Sequence, residues 1–377
     1  MFTRDSLNIQ KYLENNQKIY KNGFKELKLL YDSLKKVKYD YELIENIKDN
    51  NKNNKHFNNP FVSNEILHSI KSLNNNLKLV LKINGNILTI NIYYDKQDLK
   101  KFVSNILIII SFIFHLMNKN VGNVNINYYL TDHKKTIDKD VKDGLNYGHI
   151  NNGCCNINTI DIWRKEELIK VTIHELIHLF NCDKSMNDNS FIINEYLTRY
   201  NINSERVNTF EAYTEIWANI LNSYFISKWT LMKTDPSGSS DLFCDLVNYE
   251  RIWSHIQCVK VLKLTNFNFD KMKYDILINL NAETNVWAYY ILRSMVYFNI
   301  NNFILDMKKH NINRINLRDD INYYNNYILN IVEKTLYNKD YKDILEKMDL
   351  EKDLKNKINN PNFILSTTRM SGCELKL

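Results

Sequence analysis

The sequence contains little of what marks fibrous, secreted or disulfide-stapled proteins. Only 8 of its 377 residues are glycine and 3 are proline, which excludes collagen-like and other repetitive classes. Its six cysteines include no CxxC pair and no regular spacing, so we expect a reducing compartment and no disulfide framework. The first residues contain no apolar segment of the kind found in secretory signals. We therefore expect an intracellular protein.

Long hydrophobic runs are also missing. The most apolar stretch, Ile106 to Leu116, stays shorter than a membrane span even when it is extended to Phe102–Met117. We predict that it forms a buried helix of a soluble protein with no membrane partner. The net charge of +7 is mild, and the basic residues are scattered and not interleaved with aromatic ones. This distribution predicts a solvated surface and no nucleic-acid partner.

The chain does contain enough apolar material for a large core. Hydrophobic residues make up 44% of it and aromatic residues 12%, which argues against global disorder. Helical periodicity runs through 5–47, and the Asn- and Lys-rich stretch from Asp49 to Asn59 indicates an exposed linker. We therefore expect an N-terminal helical extension over 1–60 and a main domain over 61–377.

The main domain divides into a mixed half, 61–181, and a helical half, 182–377. Alternating apolar segments on either side of Asn84-Gly85 are a strong hairpin signal. The predicted elements of the mixed half are a helix at 64–73, strands at Leu77–Ile83 and Asn86–Tyr94, a helix at 97–118, a strand at Val124–Leu130 and an extended edge segment at Gly148–Asp161. An extended tail is expected at Phe363–Leu377. The predicted fold class is α+β: a small mixed sheet and a motif helix, followed by an all-helical C-terminal half.

The segment His174-Glu175-Leu176-Ile177-His178 is the feature that indicates chemistry. On a helix, His174 and His178 lie about 40° apart around the axis, so both imidazoles can reach one tetrahedral zinc ion. Glu175 lies beside the first histidine and can reach metal-bound water, so it can act as general base while zinc lowers the pKa of that water. The apolar neighbours of the motif favour a packed helix over a pair of unrelated histidines.

A tetrahedral site needs a third protein ligand, and residue spacing selects among the known patterns. The metzincin pattern requires glycine and histidine three and six residues after His178, where this chain has Asn181 and Lys184. That class is excluded. Asp183 falls one residue short of the place that an aspartate ligand would occupy there, and we assign it a structural role.

Two glutamates on a later helix supply the alternative. Glu211 and Glu215 lie 33 and 37 positions beyond His178 on one helical face, where two like charges repel unless a cation lies beside them. We predict Glu211 as the metal ligand and Glu215 as the hydrogen-bond acceptor of a ligand histidine. The swapped assignment stays open. Glu195 and Glu205 are weaker candidates because each lacks a paired acid.

His-Glu-Leu-Ile-His followed by Glu-Ala-Tyr-Thr-Glu resembles the gluzincin class of zinc metallopeptidases. The wider block Asn151 to His178, with Arg369-Met370-Ser371 in the tail, resembles uncharacterised metallopeptidase-like proteins of large DNA viruses. The resemblance covers about 145–300 and the tail. It implies a zincin-like fold with one Zn²⁺ per chain, and it implies no particular substrate. Glu215 stands where the common gluzincin pattern has aspartate, which keeps both glutamates in consideration.

The same resemblance predicts where a substrate would lie. Zincins bind the backbone of a peptide along an edge strand just before the motif helix, and Asn151–Ile157 is the corresponding segment here. Asn152, Gly153 and Cys154 are the candidate substrate contacts, and Gly153 would let a peptide approach closely. The alternative for Cys154 and Cys155 is a pair of small buried hydrophobic residues.

Peptide hydrolysis also needs a hydrogen-bond donor for the developing oxyanion. Tyr289, Tyr290 and His255 are the candidates, and a packing role is the alternative for each. The predicted function is zinc-dependent hydrolysis of peptide bonds in a peptide or protein substrate, with Glu175 as the base. An inactive zincin-derived scaffold that binds a host or virion protein is the second possibility. The oligomeric state is left open.

Overall fold

Six strands form one mixed sheet in the order β1-β2-β3-β4-β6-β5. The computed structural model describes residues 2–13, 24–49, 57–137, 144–184, 190–202, 206–231, 235, 238–265, 282–310, 315–316, 321–348 and 361–376. The strands are β1 (Glu42–Asp49), β2 (Asn75–Ile83), β3 (Asn86–Tyr94), β4 (Asn123–Tyr129), β5 (Gly153–Asn156) and β6 (Thr159–Ile162). The β3–β4 and β4–β6 pairs are parallel, and the other pairs are antiparallel.

Helices surround the sheet and make up the C-terminal half of the described chain. They are α1 (Arg4–Leu13), α2 (Lys25–Lys35), α3 (Asn64–Ser72), α4 (Lys100–Met117), α5 (Tyr147–Ile150), α6 (Leu168–Leu179), α7 (Ser190–Tyr200), α8 (Thr209–Leu231), α9 (Ser239–Leu264), α10 (Arg293–Phe298), α11 (Ile300–His310), α12 (Ile321–Leu336), α13 (Lys339–Lys347) and α14 (Pro361–Ser366). A π-helical segment, Trp287–Leu292, runs directly into α10. The predicted α+β class with a helical C-terminal half is confirmed.

The β2–β3 hairpin forms where its sequence predicts it. Ile83 pairs with Asn86, so Asn84 and Gly85 alone make the turn. Both turn residues have positive φ, at 46° and 75°. That conformation matches the twist of two antiparallel strands, and an Asn-Gly pair adopts it readily.

The most apolar stretch of the sequence, Ile106 to Leu116, lies in α4, and this helix packs in the core next to the sheet. Within the described residues, α4 is the one helix long and apolar enough to cross a membrane. Ten of its 18 side chains are buried, and α4 contacts both β2 and α6. This burial is typical of a core helix.

One part of the N-terminal helical prediction is wrong. Residues 42–49 form β1, which pairs with β2 at the sheet edge, so this segment shares the sheet with residues after 61. Leu43, Ile44 and Ile47 have helical spacing, yet each is close to half exposed. Pairing of the backbone with β2 outweighs that spacing. The division at residue 60 stays a prediction, and most of the predicted linker lies outside the described residues.

Two extended predictions are also wrong in part. The segment predicted from Gly148 begins with the helical turn α5, because Asn146 and His149 form a reciprocal capping box around it. Gly153 onward is extended, and β5 lies at the sheet edge as predicted. The tail begins with α14 rather than a strand. Pro361 is its first residue, a position where the missing N–H of proline costs no helical hydrogen bond.

Candidate metal centre

The His-Glu-x-x-His segment lies on α6, a helix enclosed on nearly all sides. Eleven of its 12 side chains are buried, and His178 is the one that is not. The helix packs against α4 and α8 and against β5 and β6. A helix that is largely apolar all round suits this position between the sheet and the helical half. Its few polar side chains must therefore find partners inside the protein.

The acidic half of the centre comes from α8. The side chain of Asn208 accepts a hydrogen bond from the backbone N–H of Phe210 at 2.9 Å and so caps the start of this helix. Glu211, Thr214 and Glu215 follow at positions i, i+3 and i+4, which places them on one helical face. That face meets α6, and all three side chains contact residues in or next to the motif.

Three predicted ligands meet at one point. The Nε2 atoms of His174 and His178 lie 2.9 Å apart, and each lies 3.3 Å from Oε2 of Glu211. Zinc binds such atoms at about 2.0–2.1 Å, so the ligand atoms of a tetrahedral ion are about 3.3 Å apart. Oε2 of Glu211 is buried and accepts no hydrogen bond in the described part of the chain. The three side chains could therefore hold one cation.

A carboxylate lies behind each histidine. Nδ1 of His174 is 3.0 Å from Oε1 of Glu215, and Nδ1 of His178 is 2.6 Å from Oδ2 of Asp183. A carboxylate near Nδ1 favours the tautomer with its proton on Nδ1, which leaves the lone pair of Nε2 for a cation. Both oxygens of Glu215 accept hydrogen bonds from Nζ of Lys170, at 2.8 and 2.9 Å. Glu211 thus faces both imidazoles while Glu215 lies behind one of them, and their assignment as ligand and supporting carboxylate stays a prediction.

The charges of the cluster are strongly coupled. Burial lowers the pKa of His174, but the carboxylates of Glu215 and Glu211 outweigh it and raise that pKa to about 9. Burial raises the pKa of Glu211, but the charges of His178 and His174 hold it far below its ordinary value. The carboxylates thus favour positive charge at this place, which a bound metal ion could supply.

Glu175 lies against the edge strand β5. It is 4% exposed, and burial raises the pKa of its carboxyl although the imidazoles of His174 and His178 oppose the rise. A Cβ atom on Gly153 would lie 2.9 Å from Oε1 of Glu175 and 3.0 Å from Cγ1 of Val171. The strand therefore reaches the motif helix because residue 153 has no side chain.

A small cavity of about 30 Å³ lies beside His174 and Glu175. This volume holds one or two water molecules. Gly153 and Tyr289 line it, as does Asn152, whose Nδ2 donates to the carbonyl of Glu166 at 2.7 Å. Asn152 and Gly153 therefore lie next to the motif helix, and their contact with a substrate stays a prediction.

Cys154 points away from this cavity. Its Sγ accepts a hydrogen bond from Nδ2 of Asn59 at 3.0 Å, and its side chain packs with a separate apolar cluster that includes Trp163. Successive side chains of a strand point to opposite faces, so Cys155 shares the α6 face with Gly153. The Cys154 side chain therefore does not line the cavity, and the predicted substrate contact at this residue stays a prediction. All six cysteines are free thiols.

The candidate oxyanion donors lie in different places, and the hydroxyl of Tyr290 donates to the carbonyl of Thr368 at 2.8 Å. Tyr289 lines the cavity, and its ring centre is 6.4 Å from that of His174. Burial and the nearby carboxylates, Glu211 first among them, raise the pKa of Tyr289 well above its ordinary value. His255 is fully buried in the helical core, where Nδ1 lies 2.8 Å from Oγ of Ser294 and the ring contacts Tyr341. His255 is therefore not part of the cluster.

The weaker ligand candidates do not join the cluster among the described residues. Glu195 pairs with Arg199 on its own helix at 2.5 Å, and Glu205 lies outside the described residues. Sequence reasoning overlooked Lys170, whose one available signal was its place one turn before His174. It also assigned no position to Met370, which brings the tail to the wall of the cavity.

The fold and the cluster together define an α+β protein whose His-Glu-x-x-His helix faces a glutamate-bearing helix. The chain is similar to an uncharacterized protein of Acanthamoeba polyphaga mimivirus, with 24% identity over 268 residues, which cover 65% of this chain and 68% of that protein. This similarity relates the chain to a viral protein. No family model and no solved structure matches the chain.

Proposed function

We propose that the protein is a zinc metallopeptidase of the gluzincin type, acting on a peptide or protein substrate. The supporting observation is the convergence of two imidazole nitrogens and one carboxylate oxygen, each pair within 3.3 Å, next to a buried glutamate. His174, His178 and Glu211 would hold one Zn²⁺ per chain, and Glu215 would orient His174. The resemblance of the two motifs to gluzincins supports the same conclusion.

Glu175 is the general base of the proposed reaction. Zn²⁺, when bound, supplies Lewis acidity that polarises a carbonyl oxygen and lowers the pKa of water. The Glu175 carboxylate accepts a proton from the attacking water and passes it to the leaving amine nitrogen. Burial raises the pKa of this carboxyl, which makes its ionised form a stronger base.

Tyr289 is the proposed donor for the developing oxyanion. Its raised pKa keeps the phenol protonated at neutral pH, so its O–H, which interacts with Glu211 here, could donate to a substrate oxygen. The substrate backbone would lie along β5, because this strand is the end member of the sheet and pairs with β6 on one side. An extended peptide can add to such an edge as a further strand.

Metal analysis combined with a peptide-library assay tests the proposal. We expect stoichiometric zinc in the wild type, loss of zinc in His178→Ala, and retained zinc without turnover in Glu175→Gln. His68→Ala is the matched control, since His68 is an exposed histidine on α3, and it should keep both zinc and activity. A Glu175→Gln protein that cleaves peptides as fast as the wild type contradicts the mechanism. A zinc-loaded wild type that cleaves nothing favours a binding scaffold.

A further inference from the structure

The chain reverses direction immediately after α6. Asn181 adopts the left-handed conformation with φ of 48°. Its N–H donates to the carbonyl of His178 at 2.7 Å, and the N–H of Cys182 donates to the carbonyl of Ile177 at 3.1 Å. These two bonds form a Schellman motif, the common way to end a helix and turn the chain back. The reversal brings Asp183 back beneath the last turn of α6.

Asp183 bridges the two helices of the candidate centre. The residue is fully buried, and its Oδ2 lies 2.6 Å from Nδ1 of His178. The same oxygen accepts a hydrogen bond from Oγ1 of Thr214 at 2.8 Å. Thr214 stands on α8 between Glu211 and Glu215. The carboxylate thus contacts a residue of each helix.

The stability of α6 does not account for a carboxylate at this place. The C-terminal end of a helix carries partial negative charge, so an aspartate just beyond it is unfavourable by a few tenths to about 1 kcal/mol. The carboxylate is well placed for the ring of His178 instead. With a proton held on Nδ1, Nε2 of His178 presents its lone pair towards His174 and Glu211.

We propose that Asp183 is a positioning residue of the metal centre, which fixes the tautomer and ring orientation of His178, and that Thr214 holds Asp183 in place. The inference depends on the proposed metal function. It gives each ligand histidine its own carboxylate from a different element: Glu215 of α8 behind His174, and Asp183 of the α6–α7 connection behind His178.

Zinc affinity, measured by competition with a chromophoric chelator, tests the inference. Loss of such a supporting carboxylate typically weakens metal binding by about 10–100-fold, and we expect that loss in Asp183→Asn. Thr214→Val keeps the side-chain shape and removes one hydrogen bond, so its loss should be smaller. Thr172→Val is the matched control, because the hydroxyl of Thr172 contacts Tyr128 and the carbonyl of Leu168.

The visible spectrum of the Co²⁺-substituted protein gives a second readout, since it reports ligand geometry and does not follow stability. We expect Asp183→Asn and Thr214→Val to change this spectrum and Thr172→Val to leave it unchanged. If Asp183→Asn binds zinc with an affinity within twofold of the wild type and its spectrum is unchanged, this inference is overturned and the proposed function is not affected. If Asp183→Asn does not fold, the same result in Thr214→Val overturns it. A wild type that binds no Zn²⁺ overturns the proposed function together with this inference.

Discussion

Gly153→Ala perturbs the contact between the edge strand and the proposed base. The new Cβ would lie 2.9 Å from Oε1 of Glu175, 3.0 Å from Cγ1 of Val171 and 3.1 Å from the carbonyl oxygen of Asp161. Ordinary contacts begin at 3.4 Å, so these atoms must give way by 0.3–0.5 Å. The carbonyl belongs to β6, which is paired with β5, and moves least easily. The carboxylate of Glu175 therefore takes up much of the displacement.

The size of the effect follows from that displacement. A misplacement of about 1 Å at a catalytic group costs roughly 100-fold in rate, so half of it should cost about 10-fold in kcat. Inserting a methyl group into a packed region should also lower the free energy of unfolding by about 1–3 kcal/mol. Zinc content should not change, because the built Cβ does not have His174, His178 or Glu211 among its nearest contacts.

The assay is kcat on a cleaved library peptide, with zinc content and urea unfolding measured on the same samples. Gly148→Ala is the matched control. Its Cβ would meet Oδ1 of Asn146, the capping atom of α5, at 3.2 Å, so this side chain has to shift only slightly. We expect the control to keep wild-type kcat. Wild-type kcat in Gly153→Ala would refute the argument that this glycine sets the position of Glu175.

Four other substitutions test separate parts of the structure. Glu211→Gln should abolish stoichiometric zinc binding. Glu215→Gln should keep the zinc but weaken its affinity by about 10–100-fold in chelator competition, since Glu215 acts through His174. If Glu215→Gln loses the zinc and Glu211→Gln keeps it, the roles of the two glutamates are exchanged. Tyr289→Phe should lower kcat by about 10²–10³-fold at unchanged zinc content, and an unchanged kcat would remove Tyr289 from the mechanism. Burial lowers the pKa of Lys260 to about 7, below its value in the unfolded chain. Between pH 7 and 10 the unfolded chain therefore binds more protons than the folded chain, and the free energy of unfolding rises with pH. Lys260→Met should reduce that slope by up to about 1.4 kcal/mol per pH unit in urea titrations, and an unaltered slope would mean that Lys260 stays charged in the core.

Which residues of one helix or turn share a face could be predicted from the sequence, because backbone geometry alone decides it. Four residues place His174 and His178 on one helical face, and the same rule applies to Glu211 and Glu215. The Asn84-Gly85 turn was likewise predictable, since few residue pairs accept positive φ at both positions. These local rules were enough to predict the α+β class and which side chains share a face, whereas the meeting of the two helices was predicted from the gluzincin motif.

The contacts between elements depended on the tertiary structure. Nothing in the pair Cys154-Cys155 indicates which side chain faces α6, because the pairing of β5 with β6 sets the pleat. His255 lies on a predicted helix, and only the packing of that helix turns the imidazole towards Ser294 and away from the centre. The contacts of Asp183 with His178 and of Lys170 with Glu215 likewise depend on how the elements pack. Local sequence decides which side chains share a face, and packing decides what each face meets.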